Sequence, residues 1–143
     1  MEKPRKKLTR QQRRWRRIAL ISAPVLVLLV VASVPLWRRY KAKQDVNIIE
    51  IGLRGFAAEN GRPPTGRPAQ IAALLRGENI GGQNPKRLDY VEASLGEMNS
   101  AGEFIDPWGT PYRISSGADA RAYSCGPNRQ DENGEGDDIC SWK

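Results

Sequence analysis

Two neighbouring stretches near the C-terminus decide the fold: FIDPWGTPYRISS at residues 104–116 and AYSCGPNRQDENGEGDDICSW at residues 122–142. In the first, the DPWG motif at 106–109 predicts a turn, because proline restricts one φ angle and glycine can adopt a positive one. The apolar alternation at 112–115 and at 122–125 predicts two strands of a small antiparallel sheet. The remainder of the second stretch is a loop rich in acids, amides and glycine.

Helical patterns precede these strands. Apolar residues recur at spacings of three and four, which predicts an amphipathic helix; they are Val46, Ile49, Leu53 and Phe56. Asn60 and Gly61, followed by two prolines, predict the end of this helix. A second, short helix is expected at 68–76, with proline near its first turn and Gly77 after its last. The expected fold class is therefore α+β, with a long N-terminal helix, a short helix, a small antiparallel sheet and a C-terminal loop.

A stretch long enough to span a membrane lies near the N-terminus. Residues 18–37 read IALISAPVLVLLVVASVPLW, twenty residues without a charge. A helix of that length crosses a hydrocarbon core of about 30 Å. Nine Lys and Arg residues precede the stretch and four follow closely, so the positive-inside rule places the N-terminus in the cytoplasm. The alternative is a cleaved signal peptide, with Val31 and Ser33 as the small residues of its cleavage site.

These observations predict a single-pass protein of the inner (cytoplasmic) membrane with a periplasmic C-terminal domain. The expected organisation is a basic cytoplasmic tail (1–17), a transmembrane helix (18–37), its amphipathic extension (38–60) and a globular domain (61–143).

Charge and composition exclude several classes of function. Residues 1–43 hold 13 of the 23 Lys and Arg residues and one acid, a net charge of +12, whereas residues 44–143 carry a net charge of −5. A nucleic-acid-binding domain would present a basic folded face, so nucleic acid is not an expected partner. The chain contains no histidine, which excludes His-dependent nucleophilic catalysis and His-ligated zinc. We therefore expect a protein that is not an enzyme.

The segments resemble, in order, those of the G-type (major) pseudopilins of type II secretion systems. FAAENGRPPTG at 56–66 is similar to the family's helix exit, and DPWGTPYRI at 106–114 resembles its DPWG-x-PY hairpin opening. YSCGPNRQDENGEGDDI at 123–139 resembles its YSxGxDG…DDI loop. The resemblance covers about residues 34–142. It implies a pilin-like structural subunit of a type II secretion or related pilus-like assembly, whose partners are the lipid bilayer, other pseudopilin-like subunits and inner-membrane secretion components.

The N-terminus departs from this family. Pseudopilins carry a short basic leader, a glycine cut by prepilin peptidase and a glutamate soon after the cut. Here no glycine precedes Gly52, and residues 18–37 contain no acid. If Pro35 matches the proline late in the family's membrane helix, Ile18 occupies the place of the glutamate. Prepilin peptidase is therefore not expected to process this chain, and the alternative function is a bitopic export-side protein that uses a pseudopilin-like domain for calcium or partner binding without polymerising.

The resemblance also implies a calcium site in the C-terminal loop. The implied ligands are the carbonyl oxygens of Cys125 and Glu135 and the side chains of Asn128, Asp137 and Asp138. Because Asn128 stands where the family usually has aspartate, the site loses one negative charge and is expected to bind calcium weakly. The two cysteines suit one disulfide in an oxidising compartment. The alternative to calcium is thus an ion-free acidic loop closed by a Cys125–Cys140 disulfide.

Overall fold

The computed structural model describes residues 10–143 except 92–94, 96 and 118, and it describes no side chains for residue 10 or residues 12–27. The elements are α1 (Arg10–Asn60), α2 (Pro68–Leu75), a 3-10 helix (Ile80–Gly82), β1 (Arg113–Ser115), β2 (Arg121–Ser124) and β3 (Ile139–Cys140). The chain divides into two compact units, Met1–Leu36 and Trp37–Lys143. The predicted α+β class, with a long N-terminal helix and a small antiparallel sheet, is confirmed.

In the first unit, the described apolar side chains of α1 are exposed. The large ones are Leu28, Leu29, Val30, Val31, Val34 and Leu36. Within the described part of the chain, no helix combines the length and the apolar content needed to cross a bilayer. About half of the predicted span, residues 18–27, lies outside the described side chains, so the transmembrane helix stays a prediction.

In the second unit, the C-terminal part of α1 supplies one wall of the core. The four residues of the predicted apolar stripe are all fully buried: Val46, Ile49, Leu53 and Phe56. They share one cluster with residues of α2 and of the segments around the sheet: Ile71, Leu74, Leu75, Leu95, Phe104, Tyr112 and Ala122. Burying a large aliphatic or aromatic side chain contributes about 1.5–3 kcal/mol. This outweighs the loss of about 1 kcal/mol of helix propensity at each of Gly52 and Gly55.

The short helix α2 starts and stops on local signals. Pro68 is its first residue, a position where the missing N–H costs nothing. The side chain of Gln70 accepts a hydrogen bond from the Arg67 N–H at 2.9 Å and so caps the first turn. The helix ends at Leu75, one residue earlier than predicted. Gly77 follows with a φ of +86°, a conformation that glycine adopts at little cost.

The sheet has the order β1-β2-β3, and both pairs are antiparallel. Arg113 lies opposite Tyr123, and Ser124 lies opposite Ile139. The first two strands fall within one residue of their predicted positions. The third was not predicted because its two residues are too few to carry a periodic pattern, and its conformation is defined by pairing with β2.

As aromatic residues beside a turn, Trp108 and Tyr112 are predicted from the sequence to belong to the core and not to a ligand site. Tyr112 is buried, and its hydroxyl donates to Asp45 of α1 at 2.9 Å. Trp108 is only half-buried, since it stands within the turn that leads to β1. The prediction is therefore confirmed for Tyr112 and wrong in degree for Trp108.

Candidate functional site

The predicted turn supports the start of the C-terminal loop. The Gly109 N–H donates to the carbonyl oxygen of Asp106 at 2.8 Å, which closes the turn. One carboxylate oxygen of Asp106 accepts two further backbone N–H groups of the turn, both at 2.9 Å. Its other oxygen accepts from the Ser124 hydroxyl at 2.5 Å, and that hydroxyl accepts from the Gly126 N–H at 3.0 Å. Buried Asp106 thus joins the turn to the point where β2 passes into the loop.

Gly126 allows the two ends of the loop to meet. It has a φ of +66°, and a Cβ at this position would lie 2.4 Å from the carbonyl oxygen of Asp137. Only glycine fits such an approach of two backbones. Alongside it, one carboxylate oxygen of Asp137 accepts from the backbone N–H of Asn128 at 3.2 Å. The fold therefore brings the Asn128 and Asp137 regions of the predicted ligand set together.

Asp138 organises the acidic turn that precedes β3. Its Oδ2 accepts from the N–H groups of Gly134 at 2.8 Å and Glu132 at 3.1 Å. The Glu132 carboxylate in turn accepts from the Asp137 N–H at 2.9 Å. Glu132 is not among the predicted ligands, because one more acid in an acidic loop carries no distinguishing sequence pattern.

Two carboxylate oxygens of the loop are buried and have no hydrogen-bond partner among the described residues: Asp137 Oδ1 and Asp138 Oδ1. A buried acceptor that is left unpaired costs about 1–3 kcal/mol, and more when it is charged. The two carboxylates are also adjacent in sequence and repel one another. Unpaired carboxylate oxygens are ligands of the kind that a hard cation takes.

The other predicted ligands are placed less favourably. The side-chain oxygen of exposed Asn128 accepts from a backbone N–H two residues later, at 2.6 Å. Glu135 is exposed, and its carbonyl oxygen accepts from the Asp138 N–H at 3.0 Å. Among the described residues, no three His, Cys, Asp or Glu side chains form a group that could hold a metal ion. A bound ion would therefore depend on carbonyl and amide oxygens in addition to two carboxylates, a mixture that calcium accepts.

Both cysteines are buried free thiols in the structure. Cys140 lies opposite Tyr123, and Ile139 lies opposite Ser124, so Cys125 is a diagonal neighbour of Cys140 and not its direct partner. The predicted Cys125–Cys140 bond is not formed here. Its formation in an oxidising compartment stays a prediction.

Burial raises the pKa of both thiols above its ordinary value, although Arg113 opposes the shift at Cys125 and Lys143 opposes it at Cys140. Both sulfurs therefore stay protonated at neutral pH. A protonated, buried thiol is a poor nucleophile, which makes a catalytic role for either cysteine unfavourable.

The outer side of the loop is held to the sheet by Asp131. Its carboxylate accepts from the Tyr123 hydroxyl at 2.9 Å and lies 3.0 Å from Arg113 Nε. The pKa of Asp131 lies below its ordinary value, mainly because the Asn133 N–H donates to the carboxylate. Burial, together with the hydrogen bond to Asp131, raises the pKa of Tyr123 to about 12. Asp131 thus holds the loop to the sheet through charged contacts that involve neither Asp137 Oδ1 nor Asp138 Oδ1.

The end of the chain is bound to helix α1. Lys43 Nζ donates to the carbonyl oxygen of Cys140 and to an oxygen of Lys143, both at 2.6 Å. The Lys143 ammonium donates to the carbonyl oxygen of Gly134 and lies 3.3 Å from a carboxylate oxygen of Glu135. These contacts run from α1 through the C-terminal residues into the acidic turn, so the position of the candidate ion ligands depends on Lys43.

When the chain is compared with protein-family models, with curated proteins and with solved structures, none of them matches it. The resemblance to pseudopilins therefore depends on the motifs quoted from the sequence, and the function inferred from it is a proposal.

Proposed function

We propose that this protein is a membrane-anchored, pseudopilin-like structural subunit of a type II secretion or related pilus-like assembly. Its N-terminal segment would anchor it in the inner membrane, with the N-terminus in the cytoplasm and the second unit in the periplasm. Other pseudopilin-like subunits and the inner-membrane secretion components would be its partners. No part of this role requires the chain to be an enzyme.

One observation supports the proposal: the apolar residues of α1 are exposed in one part of the helix and buried in another. In α1, the described apolar residues from Leu28 to Leu36 are exposed, whereas the stripe from Val46 to Phe56 is fully buried in the α+β core. An exposed apolar helical surface favours contact with lipid or with other helices. A helix that passes from such a surface into a small globular core is the arrangement expected of a subunit that anchors in a membrane and presents a domain outside it.

The test of this role begins with topology. Alkaline phosphatase fused to the C-terminus of the full chain is expected to be active, and a reporter that works only in the cytoplasm is expected to be inactive. Assembly is then tested by chemical cross-linking in membranes of a host that expresses a type II secretion system. A ladder with the host's pseudopilins is expected. An active cytoplasmic fusion, or the absence of any cross-linked partner, would contradict the role.

A second candidate function is an export-side anchor that does not polymerise. It is favoured by the sequence before Gly52, which lacks the glycine and the nearby glutamate that prepilin peptidase requires. Co-expression with the peptidase is expected to leave the mass of the chain unchanged. If the mass is unchanged and cross-linking yields only the monomer, this second function replaces the first.

We further propose that the C-terminal loop binds one calcium ion through Asp137 and Asp138. The two buried and unpartnered oxygens of these residues support the proposal. The carbonyl oxygens of Cys125 and Glu135 and the amide oxygen of Asn128 would complete the coordination, the last after leaving its present backbone partner. With only two carboxylates, the affinity is expected at the weak end known for calcium modules, with Kd about 10⁻⁴–10⁻³ M.

Calorimetry of the full chain in mild detergent tests this site directly. Calcium binding is expected to be lost in Asp137→Ala, tightened in Asn128→Asp, and unchanged in the control Asp119→Ala, which removes an exposed acid outside the loop. At a hundredfold excess over Kd, binding to the folded state alone stabilises it by about 2.7 kcal/mol. Equal melting temperatures with calcium and with chelator, and no heat of binding, would favour the ion-free loop.

A further inference from the structure

A cavity of about 340 Å³ lies in the second unit, beside the first residues that α1 contributes to that unit. On the helix, the cavity is lined by Trp37, Arg38 and Lys41. It is also lined by Glu97 and Pro107, which precede β1 in the chain. Its volume is at the lower end of the range of about 300–1,000 Å³ that is usual for small-ligand sites. The cavity is separate from the C-terminal loop and from the ligands proposed for calcium.

The walls of the cavity carry charges of both signs. Lys41 forms an ion pair with Asp45, whose second oxygen accepts from the Tyr112 hydroxyl at 2.9 Å. This pair is therefore internally satisfied. In the described part of the chain, by contrast, neither the Arg38 guanidinium nor the Glu97 carboxylate takes part in an ion pair. The cavity thus offers one available cationic group and one available anionic group, which favours a ligand that carries both charges.

The position of the cavity indicates where such a ligand comes from. In sequence, Trp37 directly follows the exposed apolar residues that end at Leu36, and Trp37 and Tyr40 are themselves exposed. Aromatic residues at the end of an apolar helical segment are typical of a membrane–water interface. A guanidinium is suited to phosphate because it can donate two parallel hydrogen bonds to it.

We propose that this cavity binds the headgroup of an amine-bearing zwitterionic phospholipid, phosphatidylethanolamine, with the phosphate on Arg38 and the ammonium on Glu97. The inference rests on the proposed membrane anchor. A primary ammonium has three hydrogen-bond donors for a carboxylate, whereas the quaternary ammonium of phosphatidylcholine has none. Phosphatidylglycerol has a phosphate but no cation for Glu97. The cavity is therefore expected to select among headgroups of the same membrane.

The test titrates the full chain in mild detergent with short-chain phosphatidylethanolamine, phosphatidylcholine or phosphatidylglycerol, and counts bound lipids by native mass spectrometry. Phosphatidylethanolamine is expected to bind about tenfold more tightly than phosphatidylcholine, since one charge-assisted hydrogen bond distinguishes them. Glu97→Gln is expected to remove that preference, and Glu78→Gln, which neutralises an exposed acid outside the cavity, is expected to leave it intact.

The phosphate contact has its own matched pair of variants. Arg38→Gln is expected to weaken phosphatidylethanolamine binding about tenfold. Arg39→Gln removes the same charge from the neighbouring residue, which is exposed and does not line the cavity, and is expected to change binding less than about twofold. Equal losses in the two variants would indicate general attraction to the membrane surface and would overturn the proposal.

Two further outcomes separate the alternatives. If free phosphoethanolamine binds as tightly as the lipid, the ligand is a soluble zwitterion and the assignment to a lipid is wrong. Equal binding of all three lipids would also overturn it. Extraction of membranes with alkaline carbonate tests the anchor independently. A chain that resists extraction but shows no headgroup preference leaves the proposed function intact and removes only this inference, whereas a chain that is extracted contradicts the anchor itself.

Discussion

Replacing Gly52 by alanine is expected to destabilise the second unit, although alanine is the better helix former. Gly52 and Gly55 lie on α1 where the segment around Tyr90 crosses it. A Cβ on Gly52 would lie 2.9 Å from the carbonyl oxygen of Tyr90 and 2.9 Å from Val91 Cγ1. A Cβ on Gly55 would meet only the ring of Tyr90, at 3.6 Å, which is ordinary van der Waals contact.

The magnitude follows from two opposing effects. Exchanging glycine for alanine inside a helix gains about 1 kcal/mol of helix propensity. At Gly52 the clash is with a backbone carbonyl, and the Tyr90 N–H is held by the carbonyl oxygen of Leu75 at 2.8 Å, so the segment cannot move freely. Overpacking of this kind costs about 1–3 kcal/mol. We expect Gly52→Ala to lose about 1 kcal/mol and Gly55→Ala to gain up to about 1 kcal/mol.

Urea denaturation of the full chain and both variants in the same detergent checks this expectation, with near-UV circular dichroism as the signal for aromatic packing. The expected order of midpoints is Gly55→Ala, then the unchanged chain, then Gly52→Ala. Because both substitutions make the same chemical change on the same helix, their difference isolates the contact with Tyr90. If Gly52→Ala were as stable as Gly55→Ala, the close approach of this segment to α1 would be wrong.

Three other predictions concern the C-terminal loop. Lys43→Met is expected to destabilise the fold by about 1–3 kcal/mol, because it leaves the oxygens of Cys140 and Lys143 without their donor. The control Lys86→Met breaks only an exposed ion pair, worth about 0–1 kcal/mol. Thermal melting of the two variants tests this difference. In the reduced native protein, Cys125 and Cys140 are expected to react with iodoacetamide far more slowly than after unfolding, and equal rates by mass spectrometry would contradict their burial and raised pKa. Because its folded-state pKa is lowered, Asp131 stabilises the fold fully above its ordinary pKa of about 3.9 and loses this effect as the pH falls further. The gap in melting temperature between the unchanged chain and Asp131→Asn should therefore close at low pH, and a gap that is constant with pH would refute this.

Features that depend on neighbouring residues were predicted well from the sequence. The stripe from Val46 to Phe56 repeats at spacings of three and four residues, and the proline at the start of α2 and the turn after Asp106 each act over four residues or fewer. A helical period, a cap and a turn are each defined by such local spacings. Their positions in the structure differ from the predicted ones by about one residue, as is usual at element ends.

The candidate site was predicted less completely, because its geometry depends on contacts between distant segments. The acidic loop was recognised from its composition, and Asp137 and Asp138 within it carry the two orphaned oxygens. The role of Glu132, the use of Asn128 in a local turn and the diagonal offset of the cysteines follow instead from how the loop folds on β2 and β3. Composition defines which oxygen atoms could bind an ion, but the folded loop defines which of these oxygens already accept hydrogen bonds.

By itself, the sequence determined the α+β class, the long N-terminal helix, the acidic character of residues 44–143 and the absence of histidine chemistry. These properties are set by composition and by short periodic patterns, and neither depends on contacts between distant parts of the chain. Only the tertiary structure decided that Lys43 holds the C-terminal residues, that Tyr112 reaches Asp45 and that Arg38 and Glu97 line one cavity. Arg38 and Glu97 are separated by 59 positions in the sequence. No local pattern predicts that they line one cavity, because the cavity forms only when α1 is packed into the second unit.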